Sequence, residues 1–186
     1  MLTDDRRRAL LRTARGAVEA QARGDAVPLP PDEGPADASG VFVTIKRRGE
    51  LRGCLGVLEM RSSLEREVAR CARDSASEDP RFPPLRAEEL PDTAIDVSVL
   101  GPLEEIDPSD ETAIVIGRHG LVVEQGRRRG LLLPQVAPEW GWTRDEFLRH
   151  TCRKAGLPED AWRQGARVFR FEADVFGEGG SLEPGA

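Results

Sequence analysis

The chain has 186 residues, 39% of them apolar, a formal net charge of −6 and a pI near 5.1. That length supports one domain with a substantial core, while the acidic balance does not favour nucleic-acid binding, which calls for a concentrated basic face. The longest apolar runs, such as AIVIG and GLLLP, fall far short of the roughly 20 residues that a membrane-spanning helix needs.

The N-terminal stretch MLTDDRRRALLRT shows no apolar run followed by a small-residue cleavage site, so no secretory signal is expected. Three cysteines without a CxxC pair argue against a disulfide framework and fit a reducing, cytoplasmic setting.

In chain order, Thr3 caps a first helix whose apolar positions Leu10, Leu11, Ala14, Ala17 and Val18 recur at helical spacing, with Gly24 as its stop. Arg6 to Arg8 fall on its solvated face. Residues 25–40, rich in Pro, Asp, Ala and Gly, read as a surface or mobile loop. VFVTIKRRGELRGCLGVLE then forms two strands around a tight turn at Arg48 and Gly49, with Val41, Val43 and Ile45 on one face. Ser62 or Ser63 opens a second helix carrying the stripe Leu64, Val68, Cys71, Ala72 and Ser75. After the turn-like EDPRFPPL comes a strand at 94–100, alternating Ile95, Val97 and Val99 with polar neighbours.

Residues 112–133 hold three β-like runs, TAIVI, GLVVEQ and GLLLP, separated by the turns GRHG and GRRRG; Arg127 to Arg129 belong to the second turn. Thr143 and Glu146 form a capping box for a helix through Phe147, Leu148, Thr151, Cys152 and Ala155. A final strand, RVFRFEADVF, precedes a tail from residue 177 to 186 expected to be disordered. Hairpins interrupted by helices, without strict βαβ alternation, give an α+β fold with a largely antiparallel sheet and flanking helices.

Among the thiols, Cys71 and Cys152 lie on apolar helix stripes and read as small core residues. Cys54 differs, because Gly53 and Gly56 stand close to it in a strand that glycine would weaken unless something approaches closely. Its neighbouring amides would be open to an anion or a carbonyl, and Arg52, two residues back, would share its strand face. A guanidinium beside a thiol favours the nucleophilic thiolate. The alternative is a buried cysteine whose glycines relieve crowding under a packed helix. Of the two candidate bases, His119 sits in an exposed, movable turn and His150 in the body of a helix. The chain holds no HExxH, no calcium-loop pattern, no P-loop and no strand–GxGxxG–helix arrangement, so no metal site is expected and the cofactor question stays open.

GVFVTIKRRGELRGCLGVLE, EDPRFPPL, IDVSVL, IGRHGL, LLLPQVAPEWGW and FLRHTCRKAGLP, in that order, resemble the AMMECR1 domain family, whose prokaryotic members are often called AmmeMemoRadiSam system protein A. The resemblance covers roughly residues 5–176. It implies one α+β domain over 1–176 with a larger and a smaller lobe, and a functional centre at Leu51, Arg52, Gly53, Cys54, Leu55 and Gly56. Arg81, His119, Gln135 and Lys154 also match recurrent positions. The family brings no established reaction; its genes lie beside those of a Memo-like protein and a radical S-adenosylmethionine enzyme, which implies these as partners. Two functions follow. In one, Cys54 is a nucleophile or carrier, Arg52 stabilises its thiolate or binds an anionic group, His119 moves protons, and Lys154 or Arg81 supplies a second cation. In the other, the same residues form a docking surface and the protein is a non-catalytic adaptor.

Overall fold

The structure, a computed structural model, describes residues 2–34 and 36–179. Within these residues the chain divides into two compact units, 2–100 together with 174–179, and 101–173.

The first unit opens with helix α1 (Asp4–Arg23), where the Thr3 hydroxyl accepts the Arg6 N–H and Gly24, at φ 76°, closes the C-terminus in the left-handed conformation. Strands β1 (Gly40–Arg47) and β2 (Glu50–Val57) form a hairpin. Arg48 and Gly49 both have positive φ, 53° and 86°, which is the twist that a two-residue hairpin turn requires. Helix α2 (Leu64–Ser77) and β3 (Thr93–Leu100) follow, and the unit takes back β8 (Ala173–Gly177) near the end of the chain, giving the strand order β2-β1-β3-β8.

Register puts like with like. Val41, Val43 and Ile45 of β1 stand opposite Val99, Val97 and Ile95 of β3. This face is buried against Leu10, Ala14, Ala17 and Val18 of α1 and Leu64, Val68, Cys71 and Ala72 of α2. On the reverse face Thr44 pairs with Cys54 on one side and Asp96 on the other.

The second unit contains β4 (Glu104–Ile106), β5 (Gly120–Gln125), β6 (Arg128–Leu132), helices α3 (Val136–Trp140) and α4 (Arg144–Lys154), and β7 (Arg167–Phe171), with the strand order β4-β7-β5-β6. The capping box at Thr143 and Glu146 is formed as the sequence predicts. Ile114, Leu121, Val123, Phe147, Leu148, Cys152, Trp162 and Val168 make its core.

The α+β fold with antiparallel strands and flanking helices is as expected, the strands dividing between two four-stranded sheets. Finer expectations are corrected. RVFRFEADVF is two strands, β7 and β8, assigned to different sheets, with a break at Glu172, whose carbonyl accepts the Gly101 N–H. TAIVI forms no strand; Ala113 and Ile114 are buried within a loop. Only Arg127 of its basic run sits in the turn, since Arg128 and Arg129 open β6. The loop before β1 is pinned where the Ser63 hydroxyl donates to the Pro31 carbonyl and Asp32 accepts the Ser63 N–H. Residues 177–179 are ordered, because Glu178 pairs with Arg15 and accepts the Ile95 N–H, whereas the remainder of the expected disordered tail lies outside the described residues.

Glycine tests this packing. A Cβ at Gly53 would collide with the Ser75 carbonyl of α2, and one at Gly130 with the backbone of Ala155, while Gly16 in α1 faces open space. Gly53→Ala and Gly130→Ala are expected to cost about 2–3 kcal/mol each, and Gly16→Ala to gain about 0.5–1 kcal/mol. Urea denaturation midpoints check the contrast, which fails if all three variants move the same way.

Candidate functional site

The site is built where the outer edge of β2 meets the segment that follows α2. An edge strand leaves N–H and C=O groups without a strand partner. Here a side chain caps the outward N–H of Cys54. Asp79, only 3% exposed, accepts the Cys54 N–H at 2.9 Å through Oδ2. The Leu55 N–H donates to the Ser75 hydroxyl at 2.8 Å, and that hydroxyl donates to the carbonyl of Val43, the register partner of Leu55. Ser75 thus stitches α2 into the β1–β2 pair.

Asp79 also accepts from Arg81, at 3.1 Å from the backbone N–H, 2.9 Å from Nε and 2.7 Å from Nη2. A carboxylate buried in this way is tolerable only with such donors. Its pKa is lowered well below the ordinary aspartate range, chiefly by the hydrogen bond from Arg81, against the opposing effect of burial. Arg81 Nη2 reaches the Cys54 carbonyl at 3.4 Å, and its guanidinium lies 5.5 Å from the Phe82 ring centroid. The Arg81 pKa is raised, first by the bond to Asp79; burial opposes this, and the charges of Asp79 and of a Cys54 thiolate add to it.

Cys54 itself is partly exposed, and the Thr44 hydroxyl donates to Sγ at 3.2 Å. Cys71 and Cys152 are buried. Burial pushes the Cys71 thiol up to about 12 and raises that of Cys152 as well.

Arg52 is taken up by Glu89. Register shifts between Ile45 and Lys46, so Ile45 faces Gly53 and Lys46 faces Leu51, which leaves Arg52 as the extra residue of a β-bulge. Its guanidinium is 12% exposed and holds Glu89 in a two-pronged pair at 3.0 and 3.0 Å, while Nη1 donates to the Pro83 carbonyl at 2.9 Å. Glu89 further accepts from Arg47 and from the Arg86 N–H. The result fastens residues 83–89 beside β2. The two glycines answer to packing: Gly53 lies under α2, and a Cβ at Gly56 would strike the Phe42 ring. The amides expected to be open to a ligand are those taken by Asp79 and Ser75. The crowding explanation is therefore right for the glycines, although Cys54 is not buried.

His119, Gln135 and Lys154 belong to the second unit. His119 is 6% exposed rather than movable. Its Nδ1 accepts the Val115 N–H at 3.0 Å, closing the loop 115–119 and leaving the neutral ring's proton on Nε2. Burial, then the charges of Arg170 and Arg118, lower its pKa. Gln135 precedes α3, and its carbonyl accepts the Glu139 N–H. Lys154 is exposed in the last turn of α4, where a cation suits the helix dipole. Thr44, Ser75, Asp79 and Glu89 were missed by sequence reasoning. An acid two residues before an arginine, as in DPR, was the one signal available for Asp79.

Comparisons with known proteins agree with this architecture. The AMMECR1 family pattern matches residues 11–176. A protein of Methanothermobacter thermautotrophicus is 45% identical, covering 96% of this chain and 97% of its own length, and one of Thermococcus gammatolerans is also 45% identical, covering 91% and 88%. The crystal structure of the uncharacterized protein PH0010 from Pyrococcus horikoshii superposes with a TM-score of 0.86 at 40% identity, covering 96% of this chain and 94% of that one.

The Glu89 cluster gives a pH signature. Its hydrogen bond from Arg52 lowers the carboxyl pKa from 4.5 to about 2. A group depressed on folding stabilises fully above its unfolded value, so this contribution holds above pH 4.5 and is lost as the pH falls through about 2. Glu89→Gln is expected to flatten that acid limb in thermal melts and to cost about 3 kcal/mol near neutrality, since it leaves buried arginine unpaired. An acid limb parallel to the wild type would contradict the assignment.

Proposed function

The chain belongs to the AMMECR1 family, and from that premise we propose that it acts through Cys54 as a covalent thiol, a nucleophile or group carrier, on the edge of β2. One observation carries the reading. Of three free thiols, Cys54 alone is partly exposed, with a hydroxyl donor on its sulfur and the Arg81 guanidinium hydrogen-bonded to its own carbonyl. Arg81, not Arg52, is the cation of the site.

In an acyl transfer at this position the thiol proton leaves with the departing group or to water. The sulfur pair forms the C–S bond of a thioester as the bond to the leaving group breaks with its electrons. Thr44 orients the sulfur. Asp79 holds the strand and Arg81 in fixed relation, so the geometry needs no reorganisation on reaction. His119, with Nδ1 engaged and its ring buried, takes no role as a mobile base in this reading.

The setting we infer is the cytoplasm, in keeping with three free thiols; among the described residues no helix is long and apolar enough to cross a membrane. The family's gene neighbourhood supports a Memo-like protein and a radical S-adenosylmethionine enzyme as partners, with Cys54 receiving or passing on a group within that system.

Iodoacetamide applied to the folded protein is expected to label Cys54 alone, with Cys71 and Cys152 reacting only after denaturation. Cys54→Ser is expected to keep binding to the two partners while abolishing transfer of an isotopically marked group between them. Absence of labelling in the folded chain, or a Cys54→Ser variant with full output, would leave the docking role in place of the chemical one.

A further inference from the structure

We propose that the Cys54 site takes a substrate bearing an oxyanion, a carboxylate or a phosphate, held by the free Nη1 end of the Arg81 guanidinium; this rests on the thiol reading above. Two arginines border β2, and their donors are disposed differently. Arg52 has Nε and Nη2 on Glu89, with Nη1 on the Pro83 carbonyl, and it is nearly buried. It has no edge to offer.

Arg81 keeps one nitrogen, Nη1, unengaged, while Nη2 also reaches the Cys54 carbonyl at 3.4 Å. Nε and Nη2 form the fork on Asp79, whereas Nη1 has no acceptor among the described residues and the side chain is 54% exposed. The guanidinium is therefore held from behind by a buried carboxylate, with the Phe82 ring centroid 5.5 Å away, and it still presents the N–H donors of Nη1 to solvent. Arginine is suited to this, because its planar group lets one edge bind a protein carboxylate while a further nitrogen meets a ligand oxygen. Fixing the side chain beforehand removes most of the ordering cost that an exposed arginine would otherwise bring to binding.

Asp79 does not cancel that capacity outright. Its oxygens are shared with the N–H groups of Cys54 and Arg81, so its charge is divided among the backbone and the guanidinium. Arg81 Nη2 also reaches the carbonyl of Cys54, which places an anion held by this side chain beside the residue that carries the thiol. A substrate held in this way would present an electrophilic carbon close to its anionic group.

The test compares two alkylating agents on Cys54, anionic iodoacetate and neutral iodoacetamide. In both, the thiolate displaces iodide, forming C–S and breaking C–I, so the fraction of thiolate cancels from the ratio of rates. The expected iodoacetate-to-iodoacetamide ratio in the folded protein is about threefold to fivefold that of the urea-denatured chain, the size of an exposed ion pair. Arg81→Gln is expected to return it to the denatured value and Arg81→Lys to restore part of it. On the wild type, which avoids any folding defect of the variants, inorganic phosphate and acetate are added as competitors. Selective slowing of iodoacetate by phosphate identifies a phosphate-bearing substrate, and by acetate a carboxylate-bearing one. A ratio equal to that of the denatured chain, with both reagents still labelling Cys54, overturns the oxyanion inference and spares the thiol. Failure of both reagents to label Cys54 overturns the thiol reading, and this inference with it.

Discussion

The first unit depends on the buried carboxylate of Asp79, which joins an edge strand to the segment beyond the helix packed upon it. One oxygen takes the amide of Cys54, and the two together take three donors of Arg81. Without that acceptor, β2 would show an unpaired N–H at its edge. Arg81 would then be one more surface arginine. With it, an exposed guanidinium and a partly exposed thiol are held in one arrangement by a group that is itself out of solvent.

Around this centre, other contacts serve to hold α2 and the following segment against β2. Gly53 lets the helix backbone come down onto the strand, and Ser75 bridges the two strands through its hydroxyl. Arg52 and Glu89 fasten the far end of the same segment. Arg52 is thus taken up by Glu89, and the guanidinium that meets Cys54, at its carbonyl, is that of Arg81. A bulge and a buried acid account for this.

Much of the architecture was legible because local signals agreed with tertiary ones. Thr3 and Gly24 mark the ends of α1, the Thr143–Glu146 box starts α4, and the valines and isoleucines of β1 and β3 alternate onto the core face. Legibility failed where a residue's meaning depends on a distant partner. Alternation places Arg52 with Cys54 only if pairing is regular, and the register shift lies in the relation of β2 to β1. RVFRFEADVF alternates through Glu172 without any hint that its halves join different sheets. His119 lies between glycines in a turn, yet it is buried and its ring accepts the amide N–H of Val115. The glycines beside Cys54 were rightly taken as a sign of close approach, but what approaches is a helix and a phenylalanine.

Asp79 holds Cys54 in place through its amide. Native-state hydrogen exchange at that amide addresses it most directly, since an edge N–H that faced water would exchange as in a mobile loop. Strong protection of the Cys54 N–H is expected in the wild type, and its selective loss in Asp79→Ala, with the amides of β3 still protected. Rapid exchange in the wild type, or unchanged protection in the variant, would contradict it.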